Sequence, residues 1–168
     1  MSGVAVKILA ADVLARLQGM EARGGNLSGV FRNFGEYMKG SIDKNFAAGG
    51  RPAKWEPLGF ATKVAWSLGK KSHWGKKDKM TKTGRTAWKG RLPLTDTARL
   101  RRSISYRAGA REISIGTNVI YAAIHQLGGK AGRGKKVNIP ARPYLMFQDE
   151  DIQYLDRTLI NYILTGSI

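Results

Sequence analysis

Only two side chains in this chain titrate near neutrality, His73 and His125, and there is no cysteine. That inventory narrows the chemistry. A thiolate nucleophile, a disulfide and a cysteine-based zinc site are excluded. No H-E-x-x-H places two histidines on one helix face, so a zinc hydrolase lacks its ligands. No G-x-S-x-G marks a nucleophile elbow. His73 lies among lysines, the setting of an exposed loop. His125 has no carboxylate near it in sequence to orient its ring, and a structural hydrogen bond near a helix end is preferred for it over a catalytic or ligand role. The acids are scattered or gathered at one helix start, so no acid–base pair stands out. The run G-R-G-K-K at residues 132–136 lacks the spacing and final Ser or Thr of a phosphate-cradling loop. The chain reads as a non-enzyme with no cofactor and no metal.

The elements that would position His125 lie between Ile113 and Leu145. Ile113 and Ile115 alternate with polar neighbours, the period of a strand. Gly116, Thr117 and Asn118 turn the chain. Tyr121, Ile124 and Leu127 then predict a short helix with one buried face, which Gly128 and Gly129 stop. Pro140 and Pro143 bracket Arg142 and predict an extended segment.

Upstream, residues 4–23 carry Val6, Leu9, Ala10, Val13, Leu14 and Leu17 at helical spacing, closed by Gly24 and Gly25. Asn26 or Ser28 can cap a second helix running to about Ala48, with Val30, Phe31, Phe34, Tyr37, Met38, Ile42 and Phe46 on its apolar face. Thr95 or Asp96 can cap a short helix through Leu100 and Arg102. Residues 103–108 and 112–116 predict a hairpin around Gly109 and Ala110. The last helix covers residues 149–164, with Ile152, Leu155, Leu159, Ile160 and Ile163 on one side. The fold class expected is α+β, a single domain over residues 1–168. It has two N-terminal helices, a long basic arm, a small antiparallel sheet and a C-terminal helix packed on the sheet.

Charge is the strongest global signal. The 168 residues carry a formal net charge of +17, which implies an anionic partner: nucleic acid, an acidic protein face or a membrane surface. No run of about 18 apolar residues exists, so no transmembrane helix is expected. The charge is concentrated. Residues 51–91 hold twelve lysines and arginines against Glu56 and Asp78, together with all four tryptophans. So long an irregular segment predicts an arm at about residues 51–92, with a short helix near residues 60–68. Lysines could neutralise DNA phosphates while tryptophans stack on bases, or the tryptophans could anchor the arm on a neighbouring subunit. Anchoring is preferred. The expected interface residues are Trp55, Pro57, Leu58, Trp66, Trp74 and Trp88, with Arg142 and Tyr144 structural or interfacial. The expected DNA-facing residues in the arm are Lys70, Lys71, Lys76, Lys77 and Lys79. A second basic loop, residues 128–136, adds Lys130, Arg133, Lys135 and Lys136. The chain's end is acidic at Asp149, Glu150, Asp151 and Asp156, an asymmetry suited to head-to-tail ring packing.

Several of these stretches resemble one family. Y-A-x-I-H-Q-x-G at residues 121–128, followed by I-P-A-R-P-Y-L at residues 139–145, resembles the phage virion morphogenesis family, the tail-completion proteins of Mu-like and related tailed phages. Gly50, Arg51, Pro52, Trp55, Pro57, Leu58 and Thr62 are similar to a further family stretch. Residues 94–104 resemble another, with Ala98 where the family pattern has glycine; Met146 likewise replaces a glycine. The resemblance implies a structural virion protein that completes the tail and joins it to the head as a ring at the neck, with a hexamer expected. It implies neck, connector and tail proteins as partners, contact with genomic DNA at most non-specific, and assembly in the bacterial host cytoplasm. The competing class is a basic DNA-binding protein acting in packaging or replication.

Overall fold

The structure is a computed structural model that describes residues 10–59, 62, 81–89 and 91–168. Helix α1 spans Ala10–Gly25 and α2 spans Ser28–Ala48. Two short helices follow, α3 at Lys82–Lys89 and α4 at Arg99–Arg102. Strands β1, Ser105–Ala108, and β2, Ile113–Gly116, pair with each other. Helix α5 covers Ala122–Leu127. Strands β3, Gly129–Ala131, and β4, Val137–Ile139, form a second two-stranded sheet around a 3-10 turn at Arg133–Lys135. Helix α6 closes the chain at Asp149–Thr165. The mixture of helices with small antiparallel sheets is the expected α+β class. The expected helix near residues 60–68 lies outside the described residues apart from Thr62.

The chain divides into two compact units. The first holds residues 1–38, 106–115 and 149–168, and the second residues 39–105 and 116–148. Helix α2 contributes its first part to one unit and its second part to the other.

In the first unit, Val30, Phe31, Phe34 and Met38 of α2 are buried. They recur at three- and four-residue steps, which brings them to one face of a helix. Asn26 caps α2, its Oδ1 accepting the N–H of Ser28 at 3.1 Å. Gly35 leaves room for the hairpin: a Cβ there would sit 2.4 Å from Cδ2 of Tyr106. The hydroxyl of Tyr106 donates to Glu36 Oε1 at 2.9 Å. Gly109 closes the β1–β2 turn by donating its N–H to the Glu112 carbonyl at 2.8 Å. Helix α6 packs on α1, where Arg23 Nε donates to the Ile163 carbonyl at 2.7 Å. It also meets α2, where the rings of Tyr37 and Tyr154 stack at 3.9 Å. The apolar spacing of α1 and α6 does not translate into full burial: Val13, Leu14, Leu17, Ile152, Ile160 and Leu164 are exposed.

The second unit has its own core: Ile42, Phe46, Trp55, Leu100, Ile104, Val119, Ala122 and Tyr144. The ring of Phe46 meets Trp55 edge-on at 5.7 Å and Tyr144 at 5.4 Å. Asp43 accepts from Arg101 through both carboxylate oxygens, which holds the Asp43 carboxyl below its ordinary range. The α4 start differs from the sequence expectation. Neither Thr95 nor Asp96 caps it: Thr95 Oγ1 donates to the Leu92 carbonyl, and Asp96 pairs with Arg91. The N-cap is Ala98, in the left-handed region at φ 54°, ψ 11°, without a side-chain cap.

Candidate functional site

The motif residues that lie far apart in sequence meet in the second unit, and a polar network joins them. Asn45 is fully buried on α2. Its Nδ2 donates to the Tyr144 carbonyl at 3.0 Å, and its Oδ1 accepts from Arg51 Nε at 2.8 Å. Arg51 Nη2 also donates to the carbonyl and hydroxyl of Ser41. Gln126 holds the other side of the same segment. Its Oε1 accepts the N–H groups of Tyr144 and Leu145, each at 3.0 Å, and its Nε2 donates to the Leu145 carbonyl at 2.8 Å. A glutamine supplies this pattern because one amide both accepts and donates.

Two backbone features bring the α5 end onto the Pro140–Pro143 segment. The Arg142 N–H donates to the His125 carbonyl at 2.7 Å. Gly128 has φ +75°, and a Cβ there would stand 2.8 Å from the Ala141 nitrogen. Glycine is therefore required on two grounds, conformation and space. Gly50 is similar, at φ +108°, where a Cβ would lie 2.5 Å from the Ala53 carbonyl oxygen.

Arg142 extends this network to the start of the expected arm. Its Nε donates to the Glu56 carbonyl at 3.0 Å and its Nη2 to the Pro57 carbonyl at 3.3 Å. Only 5% of Arg142 is exposed. Burial pushes the guanidinium below its usual range, partly offset by the charge of Glu56.

A cleft of about 510 Å³ opens beside Arg142. Pro57, Leu58, Val137, Ile139 and Pro140 line it, with Leu94, Glu56, Asn138 and Thr62. His125 lines this cleft and also a smaller cavity of about 160 Å³ shared with Asp96, Thr97, Arg99 and Tyr121. His125 Nδ1 is buried and has no hydrogen-bond partner among the described residues. Burial, then the charge of Arg142, pushes the imidazole pKa below its ordinary value, which favours the neutral form.

The expected site residues separate into three groups. Trp55, Arg142 and Tyr144 are internal in the chain, with exposures of 7%, 5% and 1%. The Trp55 indole N–H donates to the Pro143 carbonyl, and Arg142 Nε and Nη2 donate to carbonyls of Glu56 and Pro57. Pro57 and Leu58 line the cleft, and Lys130, Arg133, Lys135 and Lys136 are exposed on the β3–β4 hairpin. Trp66, Trp74, Lys70, Lys71, Lys76, Lys77 and Lys79 lie outside the described residues, as does the side chain of Trp88. Sequence reasoning missed Ser41, Asn45 and Gln126. A signal existed for the first two: polar residues at i and i+4 on the same helix face as Ile42 and Phe46 need buried partners.

Among the described residues no cluster of His, Asp or Glu could hold a metal ion, and no helix is long and apolar enough to cross a membrane. The network is a brace, and its partners are those of the two central motifs. The family model of the phage virion morphogenesis family matches residues 9–164, nearly the whole chain. The chain belongs to the phage virion morphogenesis family. A relative, the Mu-like prophage FluMu G protein 2 of Haemophilus influenzae, is 34% identical over 142 residues, covering 84% of this chain and 82% of its own length. No solved structure matches the chain. Membership assigns the protein a role in building the phage virion. The braced segments are the ones that carried the family resemblance, so in this family member the motifs mark how the second unit is tied together.

Proposed function

We propose that this protein completes the phage tail and joins it to the head, as a ring of identical subunits at the virion neck. The observation that carries the reading is the family match across residues 9–164. The Mu-like prophage origin of the relative supports it. The first unit offers a surface for self-association: Val13, Leu14 and Leu17 on α1 and Ile160 and Leu164 on α6 are exposed. Clusters of exposed aliphatic side chains mark interaction sites. The role is structural, exerted through contacts with copies of itself and with neck, connector and tail proteins.

The test is assembly in vitro. Heads and tails prepared without this protein are mixed with the purified chain, and complete particles are counted by electron microscopy. Native mass spectrometry on the same sample reads the number of copies per ring. Full heads and complete tails that join without the protein would overturn the reading. A net charge of +17 favours a second reading, DNA binding during packaging or replication. Under that reading the protein binds duplex DNA with a steep salt dependence, and its loss reduces DNA content in heads while joining proceeds.

A further inference from the structure

We propose that the cleft between residues 56–59 and β4 is a docking site for an extended segment of a partner protein that carries a carboxylate, received by Arg142 and His125. The inference rests on the assembly role just given for its setting, and adds the chemistry of one partner.

Four observations point to that ligand. First, Arg142 is a buried cation whose side-chain hydrogen bonds among the described residues go to two backbone carbonyls. A buried guanidinium without a carboxylate at hydrogen-bond distance is an unfinished ion pair, and its fork geometry suits a carboxylate. Second, His125 lines the same cleft and keeps a buried Nδ1 without a partner among the described residues. In the neutral ring one nitrogen donates, so a carboxylate can be met by Arg142 and His125 together.

Third, the walls suit a peptide backbone with aliphatic side chains. Pro57, Leu58, Val137 and Ile139 face the cleft, and β4 pairs with β3 alone among the described strands. Its second edge has no strand partner among the described residues, and a strand added there would take main-chain hydrogen bonds while pockets select alternate side chains. No aromatic ring besides His125 lines the cleft among the described residues, so it offers no stacking platform for nucleic-acid bases.

Fourth, the hairpin that carries β4 is positive. Lys130, Lys135 and Lys136 are exposed on the hairpin that carries β4, against a single acid of the cleft lining, Glu56. Such a field steers an acidic segment toward the cleft. Glu56 bears the same charge as the proposed ligand and opposes it.

The experiment titrates the isotopically labelled full-length chain with the peptide acetyl-Thr-Val-Glu-Val-Thr-amide, its Gln counterpart and inorganic phosphate, and follows NMR shifts. The Glu peptide is expected to move the His125 ring signals, the amides of residues 137–139 and the Leu58 methyls, saturably in the millimolar range. The Gln peptide should bind about tenfold more weakly. Glu56→Gln should tighten the Glu peptide severalfold, and Val137→Glu, on an exposed wall residue, should weaken it about tenfold. The proposal is overturned by equal binding of the two peptides, by no shift at the cleft with either, or by shifts confined to Lys130, Lys135 and Lys136 that phosphate reproduces. Ring mass measured in parallel separates this outcome from failure of the assembly reading, because loss of the ring leaves a peptide-binding cleft in place.

Discussion

The indole N–H of Trp55 donates to the carbonyl of Pro143 at 3.1 Å, joining residues 88 apart in the chain. The Trp55 ring also meets Phe46 edge-on. The tryptophan of one family stretch therefore holds the proline of another, inside the core of the second unit. Trp55→Phe should keep most of the packing and lose the hydrogen bond, at a cost of about 1 kcal/mol. Trp55→Ala should cost about 3 to 5 kcal/mol through the cavity it leaves. Urea denaturation of the two variants reads the difference. Similar losses for both would show that the hydrogen bond, not the ring, dominates.

Gln126 should matter more than its ordinary appearance suggests. Gln126→Ala removes three hydrogen bonds to the Tyr144–Leu145 backbone. The expected loss is about 2 to 4 kcal/mol, because partly buried backbone groups are left without partners. Gln126→Glu retains the acceptor for the two N–H groups and should recover part of it. Thermal melts of the three proteins at one pH check this order.

Ala98 and Gly128 predict opposite signs for exchanging alanine and glycine. Ala98 occupies the left-handed region at φ 54°, which costs a residue with a Cβ about 1 to 2 kcal/mol. Ala98→Gly should therefore stabilise the fold, by about 0.5 to 1 kcal/mol after the greater entropy of the unfolded glycine is counted. Gly128→Ala should destabilise it strongly, since the added Cβ meets the Ala141 backbone at 2.8 Å as well as an unfavourable φ. A stability gain in Gly128→Ala would refute the described turn.

His125 gives the pH prediction. Burial first, and the Arg142 charge second, lower its affinity for a proton below the ordinary value of 6.5. Below that pH the unfolded chain binds a proton that the folded chain resists. Stability therefore rises with pH across this window: it is fully present above 6.5 and is lost as pH falls below it. The midpoint of thermal unfolding should drop between about pH 7 and about pH 5, and drop less in His125→Gln. Parallel pH profiles for both proteins would place the loss on other groups.

The arm can be tested through assembly. Apolar anchoring is not screened by salt as charge is. Trp66→Ala or Trp88→Ala should therefore impair joining of heads to tails more than reversing Lys76 and Lys77 to glutamate. The yield of complete particles decides between them. Abolition by the lysine reversals, with both tryptophan variants behaving as the parent, would assign the arm to electrostatics.

Local order was legible in the sequence because local chemistry sets it. The α2 stripe from Val30 to Phe46 follows from helical spacing alone, and six of its seven apolar residues are buried where that spacing put them, with Tyr37 half-buried. The β1–β2 hairpin and the stop at Gly128 follow from alternation and from glycine's freedom at positive φ. The family was legible too, since its motifs are short and ordered along the chain. Even the odd backbone at Ala98 had a trace, in the glycine expected there.

What the sequence could not settle was which polar groups would find each other. Asn45 meets Tyr144 across 99 residues and Arg142 meets Glu56 across 86. No periodicity encodes such pairs, because they depend on how the chain is brought back on itself. For the same reason Trp55 reads as an interface anchor from composition and proves internal. Likewise Val13, Leu14 and Leu17 on α1, and Tyr121 and Leu127 of the expected buried face at α5, have the spacing of a buried face yet stay exposed. Whether an apolar residue is buried is decided by what tertiary packing lays against it, and spacing records only that its neighbours on the helix share its face.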